Sequence, residues 1–544
     1  MDSDISVFSE GEAPVDQPRD PNTRLPNVQL IYNQSTTHSV LGRPLKGRQV
    51  IYSPVRQVTR DNVREVVTKA LRSHLTNQTE IEYLLNYRLG DQPILRRRKN
   101  VREEINNPVV QNHAKEAVDF YKGYVYGEAV QYVRRGDSRA DSNLDGKVDS
   151  QTINTTSEQI SKLNDVLSYY HKAQVDNEMG GWALTCGTSF RFVSTGEEDE
   201  TLLLSSLDPR YTFVVYSTKI GHPPLCGVHM IQNEDLTRTY YVYTDHAFYE
   251  LQGDGLSADK LIREEVNYLG QCIIEYPLNE WRTGIFEPAI DILDAINTIQ
   301  SNRLDGVEQF IQNYIVFLGT KVGPEQINAF KASGVICLPA SDNSGGRPDM
   351  KVEAPELNQG QTQILMDNLY NRALTIMGIP ERSGTGISGG DTGSAVMFRN
   401  GWADAEAHAR DMETAYRPCD SRFLKIVLKV LANCKNPRER VYVDPRDIET
   451  KFTRNKTDNL LTKTQALQTL LASHVDPETA FKTVGLFSDP QQAFMNSKPY
   501  LDKAEQLTER QLEGRLRNHE KAATTTAHNQ PNPTNENSQK SLNS

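Results

Sequence analysis

The chain has 544 residues, with 60 Lys and Arg against 71 Asp and Glu, a formal net charge of -11 and 37% hydrophobic residues. At roughly 150 residues per domain this length is enough for three or four cores. A net-negative chain excludes proteins that grip nucleic acid by neutralising phosphates, though not one along which DNA slides without sticking. Residues 1–50 and 521–544 are rich in Asp, Pro, Asn, Gln, Ser and Thr and lack helix or strand periodicity, so a disordered arm and tail are expected. From 61 to 89 the recurrence of Val63, Val66, Val67, Ala70 and Leu71, then Ile81, Leu84, Leu85 and Leu89, predicts a helix stopped by Gly90. The tract Arg96-Arg97-Arg98-Lys99 reads as a solvated turn. Asn107-Pro108 has the form of a helix cap followed by proline at the first helical position, which predicts a helix over 107–126.

A third helix is expected over 157–177, with Ile160, Leu163, Leu167 and Tyr170 on one stripe. Beyond Gly180-Gly181 the period becomes strand-like, and 188–194, 201–206, 211–217, 226–231, 239–244, 247–251 and 271–276 predict an antiparallel β-rich region. A long helix follows over 288–314. Its apolar stripe is Ile292, Ile296, Ile299, Val307, Phe310, Ile311 and Tyr314; its other face carries Glu287, Asp291, Asp294, Asp305 and Glu308 against Arg303. Short β-type stretches are expected at 315–318 and 334–338, and a loop at 341–349. A helix over 361–377 then stops at Pro380. Residues 380–394 hold five glycines and one large apolar side chain, Ile387. A helix over 395–434 should kink or break at Pro418. A short strand at 441–443 and helices at 457–473, 477–484 and 490–519 complete the pattern, an α+β fold.

Few motifs point to chemistry. Gly384-Thr385-Gly386-Ile387-Ser388-Gly389 matches GxGxxG, and Gly386 to Gly390 matches GxSxG around Ser388. Both motifs require a preceding strand, whereas here a helix and Pro380 precede them. The cysteines Cys186, Cys226, Cys272, Cys337, Cys419 and Cys434 form no CxxC pair and read as buried thiols, and His222 and His229 flank Cys226 without metal spacing. No apolar run of signal-peptide or membrane-span length is present, so neither is expected. Asp141, Asn143, Asp145 and Asp149 fall at positions 1, 3, 5 and 9 of a calcium loop with Gly146 at its turn. Thr152 stands where a bidentate Glu is expected, so a structural Ca2+ site and a polar surface loop both remain open. No cofactor is required by anything else in the chain.

Several segments, in order, resemble the portal proteins of tailed double-stranded DNA phages, in particular those of long-tailed phages of Gram-positive hosts. They are Tyr87-Arg88-Leu89-Gly90-Asp91-Gln92-Pro93-Ile94; Ile105-Asn106-Asn107-Pro108 leading into His113-Ala114-Lys115-Glu116-Ala117-Val118-Asp119; Ile292-Leu293-Asp294-Ala295-Ile296-Asn297; Met377-Gly378-Ile379-Pro380-Glu381 with the glycine-rich loop; and Lys451-Phe452-Thr453-Arg454-Asn455. The resemblance implies a non-enzymatic, ring-forming α+β subunit, usually in twelve copies, that serves as the channel for genome packaging and ejection at the capsid vertex. It implies an α/β wing (51–285, then a long kinked helix and second wing part over 395–455) and a two-helix stem (286–314 and 361–379). It also implies a small α/β clip (315–360), a tunnel loop (380–394) and a helical crown (456–520).

On that pattern the DNA-proximal loop is Glu381, Arg382, Ser383, Gly384, Thr385, Gly386, Ile387, Ser388, Gly389, Gly390, Asp391, Thr392 and Gly393. The channel-lining stem positions are Asp291, Asp294, Arg303, Asp305, Glu308, Asp367 and Arg372, and the clip presents Lys321, Glu325 and Lys331. The implied partners are further copies of the chain, double-stranded DNA, the terminase large subunit, major capsid and scaffolding proteins, and head-completion or tail adaptors. No membrane is involved, and assembly takes place in the host cytoplasm. The alternatives are another structural virion protein, such as a minor head or neck component, or a soluble hydrolase using Ser388.

Overall fold

A computed structural model describes residues 39–40, 43–44, 47–100, 103–135, 150–196, 200–311, 314–318, 322–325, 327–328, 349–353, 359–380, 401–454, 460–473, 475–484, 486–487, 493–503 and 510. The chain divides into two compact units. The first comprises residues up to 132 with 162–445 and 452–454; the second comprises 133–161, 446–451 and 455 onward. Helix and sheet are mixed, as the α+β expectation requires.

The first unit opens with the short hairpin β1 (Ser39–Val40) and β2 (Arg43–Pro44), then β3 (Ile51–Ser53) and helix α1 (Val63–Leu89). Gly90 ends α1 in the left-handed region at φ 96°, with its N–H on the Tyr87 carbonyl and the next N–H on Asn86. That is a conformation glycine adopts without a Cβ penalty. Helix α2 (His113–Tyr126) begins at Asn112, whose side chain accepts from the Lys115 N–H. Residues 107–112 are therefore not helical, and the Asn107-Pro108 cap signal misled. β4 (Gln131–Arg134) leads on to α3 (Ser150–Tyr169) and α4 (Lys172–Cys186). The expected single helix over 157–177 is in fact two, because His171 adopts a left-handed conformation at φ 54° between them.

The strands β5 (Thr188–Ser194), β6 (Leu203–Leu207), β7 (Thr212–Ser217), β8 (Pro224–Gln232), β9 (Arg238–Thr244), β10 (Ala247–Gly253), β11 (Lys260–Val266) and β12 (Ile273–Pro277) form two sheets. One has the order β11-β10-β9-β8-β7-β3, antiparallel except for the parallel β3–β7 edge; the other has the order β12-β5-β6. The larger sheet buries Val228, Met230, Tyr240, Val242, Tyr249 and Leu251 against Val63, Val66, Val67, Ala70 and Leu71 of α1. In β9 the alternation is direct: Tyr240 and Val242 face this core, while Tyr243 packs on Phe192 and Phe248 on the other side. β11 carries almost no buried side chain, which is why period and hydrophobicity do not reveal it.

Next come α5 (Ile290–Ile311), the antiparallel pair β13 (Tyr314–Leu318) and β14 (Asp349–Glu353), α6 (Gln359–Met377) and α7 (Trp402–Ala432). Helix α7 continues through Pro418 rather than breaking there. No strand forms at 441–443; instead β15 (Ile448–Lys451) follows a 3-10 turn. Within the second unit, the Arg135 N–H donates to the Asp447 carbonyl where β4 ends beside β15, and α8 (Leu460–Ala472) packs on α9 (Pro477–Val484).

Arg191 on β5 is the largest fully buried side chain among the described residues. It is fully excluded from solvent and donates to Asp176 on α4, to Asp420 on α7 at 3.3 Å and to the Tyr416 hydroxyl at 2.9 Å. Two buried carboxylates around one guanidinium are tolerated because Lys172 also reaches Asp176. The described cysteines are all buried, free thiols.

Candidate functional site: a helix pair and its polar strap

Helices α5 and α6 lie side by side, joined through the β13–β14 pair. Arg303 of α5 donates to Gln363 Oε1 of α6 at 2.8 Å and approaches Met366 Sδ at 3.3 Å. This arginine therefore ties the two helices together.

The root of α5 is fixed by buried charge. Arg48 donates to Glu80 on α1 at 3.0 Å and to Glu287 just before α5 at 2.7 Å, while the second Glu287 oxygen accepts the Gly284 N–H at 2.8 Å. Phe286 stacks on Tyr87 of α1, and the Tyr87 hydroxyl donates to Asp294 at 2.8 Å. Burial first, then the Asp294 carboxylate, push the Tyr87 phenol well above its ordinary pKa, so it stays protonated and remains a donor.

Further along α5, one face is laced to the extended segment 106–111. The Gln111 N–H donates to Asn297 Oδ1 at 2.7 Å, the Val109 N–H to Ser301 Oγ at 2.9 Å and the Asn107 N–H to Asp305 Oδ1 at 2.8 Å. The acceptors are spaced four residues apart on the helix and the donors two apart on the strap. Four helical residues rise about 6.0 Å and two extended residues about 6.6 Å, so the two periods match over three contacts running in opposite directions. Pro108, which has no N–H, sits at one of the skipped positions and leaves no donor unpaired. Asn107 Nδ2 also donates to Glu308.

Asp305 is buried and receives Arg97 at 2.5 Å as well as Lys99. Burial alone would raise its pKa. Hydrogen bonds from Lys99, the Asn107 backbone and Arg97 outweigh that and hold the carboxyl below its usual value. The basic tract read as a solvated turn therefore clamps α5: Arg97 and Lys99 seize Asp305, and Arg96 pairs with Asp91 at 2.6 Å.

These contacts correct the reading of α5 as a bare acidic face. Glu287 and Asp305 are buried, Asp294 and Glu308 are bonded within the subunit, and only Asp291 of the five carboxylates is exposed. Asp367 and Arg372 are exposed on α6, where Asp367 accepts from Gln363 at 2.7 Å. Glu325 is exposed, while Lys321 and Lys331 lie outside the described residues. So do residues 381–393 with both glycine motifs, and Asp141, Asn143, Asp145 and Asp149.

What is described has little capacity for chemistry. Among the described residues no group of three or more His, Cys, Asp or Glu is placed to hold a metal, and no helix is long and apolar enough to cross a membrane. His222 Nδ1 lies 3.0 Å from the Ser217 carbonyl and His229 Nδ1 2.9 Å from Thr212 Oγ1, both structural partners. Burial pushes the thiols of Cys186, Cys226, Cys272 and Cys419 up to about 12, which leaves them protonated and unreactive.

No curated protein matches the chain. The family model described as phage portal protein, SPP1 Gp6-like, matches residues 69–513, a span that takes in most of α1, the strap, strands β5 to β12 and the α5–α6 pair. The chain belongs to the SPP1 Gp6-like phage portal protein family.

Proposed function

We propose that α5 and α6 are the stem of a closed homo-oligomeric ring of twelve copies, with residues 315–360 as the clip that meets the terminase large subunit and later the head-completion or tail adaptors. As a portal protein the chain is a structural, non-enzymatic component of the virion at the capsid vertex, and DNA passes through its assembly. The Ser388 hydrolase reading is thereby set aside.

One observation carries the stem assignment. The α5 helix is strapped into its own subunit through Asn297, Ser301 and Asp305, yet Leu304 and Val307 of α5 and Ile364 and Leu365 of α6 remain between 41% and 63% exposed. Large apolar groups left exposed along a pair of packed helices need cover, and further copies of the same chain supply it. The wing (51–285 and 395–455), the crown (456–520) and the DNA-proximal loop (380–394) complete the reading, with assembly in the host cytoplasm before packaging.

Native mass measurement and projection imaging of the purified full chain test it. A closed ring with a central hole is expected. A stable monomer would refute the stem assignment, and an open assembly without a pore would favour a minor head or neck component. The protein needs no cofactor in this reading. A structural Ca2+ on Asp141, Asn143, Asp145 and Asp149 is a proposal that calcium titration decides.

A further inference from the structure

We infer that one water molecule is bound inside the first unit, where α1 meets both sheets, and that it donates a hydrogen bond to His74 Nδ1. The inference is independent of how copies of the chain assemble.

The tautomer of a buried imidazole is the starting point. His74 is buried on α1, with its ring against Phe213. Burial lowers its pKa to about 4, so at neutral pH the ring is uncharged and carries one proton. Nε2 lies 3.0 Å from the Arg210 carbonyl oxygen. A carbonyl only accepts, so Nε2 holds the proton and donates it there. Nδ1 is then a bare lone pair, which only a donor can satisfy. It is shut off from bulk solvent, and no donor of the protein reaches it. Buried acceptors in folded proteins are met by a donor, and where the chain supplies none an ordered water does so.

There is room for one at this place. His74 lines a cavity of about 20 Å³ together with Asn77 of α1, Thr188 of β5, Thr212 of β7 and Glu275 of β12. A buried water needs about 10–15 Å³, so the space takes one and excludes larger ligands. Arg48 and Arg282 also line it, which disfavours a metal cation as the occupant. Cavities that stay dry are lined by apolar groups alone, and this one is not.

A buried water also needs partners beyond the imidazole. Thr212 is fully buried, and its hydroxyl bonds to His229 Nδ1 at 2.9 Å. The Thr188 hydroxyl, also buried, donates to Glu275 Oε1 at 3.0 Å and keeps its own lone pairs. Either oxygen can accept the second water proton. Asn77 has nothing to offer, because both ends of its amide are bonded to the Gln49 backbone at 2.8 Å. The water thereby joins α1 to a strand through polar groups that do not meet directly.

The test is solid-state NMR on the purified full chain with 15N-labelled histidine at neutral pH. Signals lost in His74→Gln identify those of His74. The expected result is a neutral ring protonated on Nε2, whose Nδ1 correlates with water protons at an intensity comparable to that of the exposed His246, the control in the same spectrum. A proton on Nδ1 overturns the proposal, as does a His74 Nδ1 without a water correlation beside a His246 that has one. Thr212→Val separates water from the threonine hydroxyl as donor. The correlation should persist there at half the parent intensity or more, and its loss overturns the proposal. A density map of the same protein that resolves other buried waters provides a second readout. It should show a peak within about 3.2 Å of Nδ1, and an empty position there refutes the assignment.

Discussion

Replacing Asn297 by alanine removes the middle of the lattice between α5 and its surroundings. The side chain is fully buried, accepts the Gln111 N–H at 2.7 Å and donates to Gln92 Oε1 at 2.5 Å, and Gln92 is itself buried. Truncation leaves one backbone donor and one amide oxygen without partners. At about 1–3 kcal/mol for each such group, the local cost is about 2–6 kcal/mol. Thr298→Ala, one residue on and exposed, should stay within about 0.5 kcal/mol. Because the chain has two compact units, the assay of choice is native-state hydrogen exchange, which reads the strap locally, rather than a global melt. A loss of 2 kcal/mol accelerates exchange roughly thirtyfold. In Asn297→Ala the Val109 and Asn107 amides should therefore exchange at least that much faster, since their partners Ser301 and Asp305 belong to the same lattice. Parent-like rates at 107 and 109 would show that the strap contacts are independent of one another and that matching of helix and strand periods does not hold the segment.

Asp305→Asn should cost about 2 kcal/mol at neutral pH, because Arg97 and Lys99 lose a charged acceptor. Its depressed carboxyl contributes stability that is complete above about pH 4 and lost as pH falls through the folded value, so the variant should lack that acid-side slope in denaturant titrations. His74 is buried against Phe213, with Nε2 3.0 Å from the Arg210 carbonyl, and burial lowers its pKa to about 4. The unfolded chain binds a proton near 6.5 that the folded chain refuses, so stability should fall by roughly 3 kcal/mol between pH 6.5 and 4. His74→Gln should flatten the curve over that range. Arg191→Met strands the Asp176 and Asp420 carboxylates in the core, and a loss above about 3 kcal/mol is expected from thermal and chemical unfolding. Arg191→Lys should not restore the parent, because a point ammonium cannot span two carboxylates and the Tyr416 hydroxyl as a planar fork does.

Elements whose own pattern dictates their state were legible from the residues. Helix α1 repeats apolar positions along one face and stops at a glycine that must be left-handed; the strands of the large sheet alternate; and α5 and α6 carry clear stripes. What misled were signals that fit two structures equally well. Asn107-Pro108 suits a helix start, but an extended strap also favours a residue without an N–H at a skipped position. The choice depends on acceptors nearly two hundred residues away on α5. The break at His171 falls between two segments that each read as helix, and β11 has no buried face to betray it.

By itself, then, the order of residues determined the periodic elements, among them the long helices α5 and α6, and the family resemblance, because these depend on spacing within a few turns. Only the tertiary structure decided which charges are free. Asp305, Glu287, Arg97 and Arg191 look like surface groups when read along the chain. Each is neutralised by a partner brought from a distant segment, and desolvation makes that pairing obligatory.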